Sequence, residues 1–160
     1  MLSGMTLWLG GFGLDPEVAR MEPLDLSKHP PRSPKVELEG LVMLARTIDK
    51  LRASLPGGNM GVYKIEGFSQ RMLDAIGVSE QELRDVVAKA KTDRDVVDWL
   101  RSRIDWEKAV EVSHRIRGRS LDDVDRDDFA QRYPVITKKP ELHYLVDVLD
   151  ADDDEMFSRT

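Results

Sequence analysis

The sequence contains no cysteine. Disulfides, thiolate metal sites and a cysteine nucleophile are thereby excluded, and a reducing cytoplasm is the expected setting. Histidine is scarce: His29, His114 and His143 sit at no metal-ligand spacing, so neither a metal nor another cofactor is expected. Aromatic residues make up 6% of the chain, and aliphatic side chains must therefore supply most of the core. No apolar run approaches the ~20 residues that span a bilayer. There is no G-x-S-x-G, dinucleotide fingerprint, P-loop or H-E-x-x-H. Carboxylates are plentiful, but nothing in their spacing separates an acid/base pair from surface charge. Whether the chain is an enzyme stays open at this level.

What the sequence does have is length and charge. Its 160 residues suit one domain with a real core. Hydrophobic residues form 41% and charged residues 34%, with a net charge of −6. That sign argues against a protein devoted to nucleic acid, because duplex affinity comes mainly from neutralised phosphates. Residues 1–20 are broken by Gly10, Gly11 and Gly13 and lack the basic start and small-residue cleavage site of a signal peptide. They read as a flexible N-terminal extension, and the change of character at Met21 makes that residue a candidate start beside Met1. The expected domain runs from 21 to 155, with 156–160 as a tail.

Residues 29–63 organise the rest. Pro30, Pro31 and Pro34 make residues 22–35 an extended strap that presents His29, Arg32 and Ser33 at low entropic cost. From Val36 to about Leu55, apolar residues recur at helical spacing around Ile48. Arg46 and Lys50 fall together on the opposite, solvent-facing side with Met43 beside them. Two cations at i, i+4 repel by ~0.2–0.5 kcal/mol, and an anion or acidic partner would relieve them. Asp49 and Arg52 are three residues apart at the edge of the stripe, and a structural ion pair is expected. Pro56-Gly57-Gly58-Asn59 stops the helix, and a short extended piece is expected near residues 60–66.

The remainder reads as helices. Residues 68–76 end at Gly77. Ser79 with Glu82 forms a capping box, Thr92 caps another helix with Asp95, and Asp105 caps a third. The basic cluster His114, Arg115, Arg117 and Arg119 suits a helix C-terminus. Pro134 interrupts a short helix, and Pro140 suits the first turn of the last one. The run Asp150 to Glu155 lacks the calcium-loop spacing and reads as a solvated acidic end. The expected fold is mainly α: a single-domain bundle of six or seven helices with at most one short β hairpin.

The Pro-Arg-Ser-Pro opening, the Leu-x-Arg-x-x-Asp-Lys-x-Arg helix, the turn of glycines before Tyr63 and the step Ala75-Ile76-Gly77-Val78 carry a resemblance. In these features residues 29–155 resemble a small bacterial family known only as a domain of unknown function. The resemblance implies one cytoplasmic domain, and it implies no activity, cofactor or catalytic residue.

The leading expectation is a non-enzymatic binding or interaction module. Arg32, Ser33, Arg46, Lys50 and Tyr63 would hold an anionic ligand or an acidic partner segment. The alternative is a small enzyme for a phosphorylated or carboxylated metabolite, with Arg32 and Arg46 as clamp, Asp49 as general base and Tyr63 as proton donor. Nucleic-acid binding through Arg115, Arg117 and Arg119 ranks last, because no aromatic residues interleave them. Oligomeric state is not readable, although an exposed Met43 would offer a dimer contact.

Overall fold

The computed structural model describes residues 20–158. The expected extension lies outside them except for Arg20, as does the question of a start at Met1. Eight α-helices are present among the described residues: α1 (Leu44–Ala53), α2 (Phe68–Ile76), α3 (Glu80–Lys89), α4 (Asp93–Arg103), α5 (Trp106–Gly118), α6 (Arg126–Arg132), α7 (Val135–Lys138) and α8 (Leu145–Phe157). A short 3-10 turn, Leu121–Asp123, links α5 to α6. The described residues contain isolated bridges but no strand, and residues 60–66 form turns. The protein is a single-domain helical bundle.

Local chemistry accounts for most boundaries. Ser79 and Glu82 close the reciprocal capping box of α3, Thr92 and Asp95 close that of α4, and the Asp105 side chain accepts from the Lys108 N–H. Gly77 ends α2 with φ 73°, a conformation that glycine adopts without the steric penalty of a Cβ. Pro140 does not open the last helix. It lies in a turn, and α8 starts at Leu145, where the Leu145 N–H is held by the Arg119 carbonyl at 2.9 Å.

The first helix departs most from expectation. It begins at Leu44 instead of Val36. Leu38 and Leu41 exchange N–H···O bonds of 3.0 and 3.1 Å across Glu39-Gly40, whose φ angles are 49° and 90°. This is the geometry of a two-residue primed turn. Leu38 and Leu41 satisfy a helical i, i+3 pattern and a tight turn equally well, so periodicity alone read through it. The Val42 N–H then donates to Ser113 Oγ of α5 at 2.6 Å. Met43 has φ 67°, and its N–H is bound to the Pro34 carbonyl at 3.0 Å.

Three apolar clusters form the core. The largest joins α1 to α5 and one face of α8; the second joins α6, α7 and the other face of α8; the third holds Leu26, Ala53 and Tyr63. In α1 every residue except Arg52 is buried. Arg46, Asp49 and Lys50 are therefore interior groups, at 3%, 4% and 7% exposure. The solvated face expected for Arg46 and Lys50 does not exist, because the proline strap, α2 and α8 cover it. Met43 is also buried, at 1%, and offers no dimer contact. The acidic run Asp150 to Glu155 lies within a docked helix rather than in a solvated tail, and α8 extends to Phe157, which packs on the third cluster.

Candidate functional site

Burying a charge is costly unless a partner and hydrogen bonds replace its water. Each charge of α1 can be followed on that basis. Asp49 is met by the strap: the Arg32 backbone N–H donates to Oδ2 at 2.8 Å, and the guanidinium donates through Nε and Nη2, each at 3.0 Å. The same guanidinium donates to both oxygens of Asp93 at 2.6 and 3.0 Å. The bond to Asp93 and the pairing with Asp49 hold Arg32 well above its ordinary pKa despite partial burial. Arg52 reaches Asp49 only at 3.7 Å and gives its Nε proton to the Glu22 carbonyl at 2.8 Å. Ser33 Oγ donates to Asp150 at 2.9 Å, and Lys35 pairs with Asp147 and Asp150.

These contacts remove part of the predicted site. Arg32 and Ser33 fasten the strap and are not free to clamp a ligand. Asp49 is enclosed by guanidinium and backbone donors and does not line the cavity that Arg46 and Lys50 share, so it has no free face to act as a general base.

Arg46 is met by α8. Its Nη1 and Nη2 donate to the Asp153 carboxylate at 2.7 and 3.2 Å, and Tyr63 Oη donates to Asp153 Oδ1 at 2.6 Å. The guanidinium lies 5.5 Å from the Tyr63 ring centroid. Burial and the bond to Asp153 raise the Tyr63 phenol far above its usual pKa. Tyr63 is thus a fixed donor to a carboxylate. One group stays unmet: among the described residues, Arg46 Nε is the buried side-chain polar atom with no hydrogen-bond partner.

Among the described residues Lys50 has no carboxylate within ion-pair distance. Its Nζ donates to the Lys64 carbonyl at 3.1 Å and makes a long contact of 3.4 Å with Ser69 Oγ. Ser69 is itself buried and accepts from Thr47. Burial, and then repulsion from Arg46, lower the Lys50 ammonium to about 8.

Lys50, Arg46 and Tyr63 line one cavity of about 440 Å³ between the two larger apolar clusters. Its walls come from α1, α2, α6, α8 and the loop 62–67. Phe68, Phe129, Leu145 and Leu149 give it apolar surface. Its charged lining is six cations, Arg46, Lys50, Lys64, Arg71, Arg119 and Arg132, against two carboxylates, Glu66 and Asp152. Arg132 is paired with Glu66 at 2.7 Å. The side chains of Lys64, Arg71 and Arg119 have no hydrogen-bond or ion-pair partner among the described residues. Burial, reinforced by Asp153 and Glu155, raises the pKa of Asp152. The described residues hold no group of acidic, histidine or cysteine side chains suited to a metal ion.

Sequence reasoning missed Asp153, Arg119 and Asp152. Arg119 was assigned to the helix dipole of α5, yet it lies just past the helix and turns onto the cavity. For Asp153 a signal was present. Val146, Leu149 and Asp153 follow i, i+3, i+7, so the apolar stripe of α8 carries its last member as a carboxylate, and such a group needs a buried cation.

No helix among the described residues is long and apolar enough to cross a membrane. No curated protein matches the chain closely enough to count as a relative. The family described as "Domain of unknown function (DUF5069)" matches residues 28–155, which takes in the strap from Lys28 onward, all eight helices except the last two residues of α8, and the whole cavity lining except Met156. The chain belongs to the DUF5069 family.

Proposed function

We propose that this protein is a cytoplasmic binding module whose cavity takes a small anionic molecule with an apolar body. The observation that carries the reading is Lys50: a buried ammonium with, among the described residues, only neutral acceptors and no carboxylate partner. Arg46 at the next turn of the same helix has a dedicated carboxylate, and Lys50 does not. A bound anion would complete the missing pair and satisfy the rim cations Lys64, Arg71 and Arg119. The volume of about 440 Å³ falls in the range of small-molecule sites, and favours a small ligand over an acidic chain segment. The enzymatic alternative loses its general base, since Asp49 is engaged by Arg32.

The test is thermal stabilisation by phenyl phosphate and benzoate, with benzamide as the neutral counterpart. A ligand at a hundred times its dissociation constant stabilises by about 2.7 kcal/mol. Both anions should shift the melting temperature saturably and benzamide should not. Lys50→Met and Arg119→Glu should each abolish the shift. Equal shifts in wild type and variants, or none with either anion, would refute the reading.

A further inference from the structure

A lysine that serves only to stabilise a fold keeps its ammonium near a carboxylate, because the charge must be compensated. Lys50 has none within ion-pair distance among the described residues. Lys50 lines the cavity, its Nζ is bound among the described residues only to a carbonyl and a hydroxyl, and it lies on the same helix face as the fixed guanidinium of Arg46. Desolvation together with a neighbouring cation is the environment that frees an amine for nucleophilic attack. The same cavity holds the Asp152 carboxyl, whose pKa burial raises, and Arg119, which is unpaired among the described residues.

We propose that Lys50 captures a 2-oxo acid as an imine, with the carboxylate of that acid held by the rim cations. This rests on the anion-binding reading and names its ligand class. The neutral Nζ attacks the carbonyl carbon, and the C=O π pair moves to oxygen. A proton passes from nitrogen to that oxygen, giving a carbinolamine. Protonation of the hydroxyl by solvent lets it depart as water while the nitrogen lone pair forms C=N. The protonated imine returns a proton to solvent, so one amine and one carbonyl give one imine and one water. A 2-oxo acid fits better than a simple aldehyde, because it brings its own anion to a site whose cations outnumber its carboxylates. With the amine titrating near 8, about half of the molecules carry a free Nζ at pH 8, against well under a hundredth for an ordinary lysine.

The experiment treats the full chain at pH 8 with pyruvate, 4-methyl-2-oxopentanoate or phenylpyruvate and cyanoborohydride, and maps adducts by peptide mass spectrometry. The 2-hydroxy acid counterparts, which cannot form imines, are run in parallel by thermal shift. Reduced adduct should gather on Lys50 at least about tenfold over the exposed Lys64, Lys89 and Lys91. Lys50→Arg should lose the adduct and keep stabilisation by the 2-hydroxy acids. The wild-type map decides the matter even if that variant fails to fold. Stabilisation by the hydroxy acids with no adduct from any oxo acid, or labelling spread evenly over all lysines, overturns the imine and leaves the anion site standing. Neither stabilisation nor adduct overturns both.

Discussion

Asp153 is the residue on which the most buried polar groups converge. Its two oxygens accept from both terminal nitrogens of Arg46 and from the Tyr63 phenol, all in the interior. Removing one partner of such a pair leaves the other charge buried and uncompensated, and this costs more than the bond itself is worth. Asp153→Asn should therefore destabilise the protein by about 3–5 kcal/mol in urea unfolding. Tyr63→Phe, which removes only a hydroxyl donor, should cost about 1 kcal/mol. Similar losses for the two variants would show that the Arg46 charge is not dependent on Asp153. Arg32 illustrates the same rule from the other side. A guanidinium between Asp49 and Asp93 is satisfied by both, and it cannot also serve a ligand.

Among the elements, α8 has the largest structural burden. Val146 and Leu149 enter the main cluster, Leu145, Val148 and Ala151 enter the second, and Phe157 packs on the third. Asp147 and Asp150 anchor the strap through Lys35, and Asp150 also accepts from Ser33. A chain stopped after Tyr144 should lose its cooperative urea transition and expose apolar surface to dye, because α1 would then hold Arg46 without a counter-charge. A truncated chain that still unfolds in one sharp step would show the clusters to be independent of α8. The strap behaves likewise as an element of the core and not as a surface linker: Pro31 and Pro34 are buried, and the Arg32 N–H itself binds Asp49.

At the scale of the molecule, an acidic chain of net charge −6 encloses a predominantly cationic cavity. The arrangement makes stability depend on pH in a definite direction. Lys50 titrates near 8 in the fold and at about 10.4 in an unfolded chain. Between those values the unfolded state binds the extra proton, so stability rises with pH from about 8 to about 10. The contribution is on the order of 3 kcal/mol over that window, and below it both states are protonated and the effect is constant. The charges acting on Lys50 are Arg46 of α1, Asp153 of α8, Glu66 of the loop and Arg132 of α6. Burial raises the phenols of Tyr63 and Tyr133 above their usual pKa. Urea unfolding at steps from pH 7 to 10 should show the rise in wild type and its absence in Lys50→Met. A flat wild-type profile would mean that the ammonium is compensated in solution.

The sequence by itself determined the helical class, the capped starts of α3, α4 and α5, and the stop at Gly77. All of these are set by neighbours within four or five residues. It also put Arg46, Lys50 and Tyr63 forward as candidates, because a stiff strap and a cation pair are visible in one short stretch. Only the tertiary structure decided what those cations do. Burial of α1 on every side, the pairing of Arg46 with Asp153 across 107 residues and the pairing of Arg32 with Asp49 and Asp93 depend on long-range docking. A helical wheel assigns a charged face to solvent because it knows nothing of the α8 helix that comes to cover it. That docking gave Arg46 a partner, left Lys50 without one, and placed both against the same cavity.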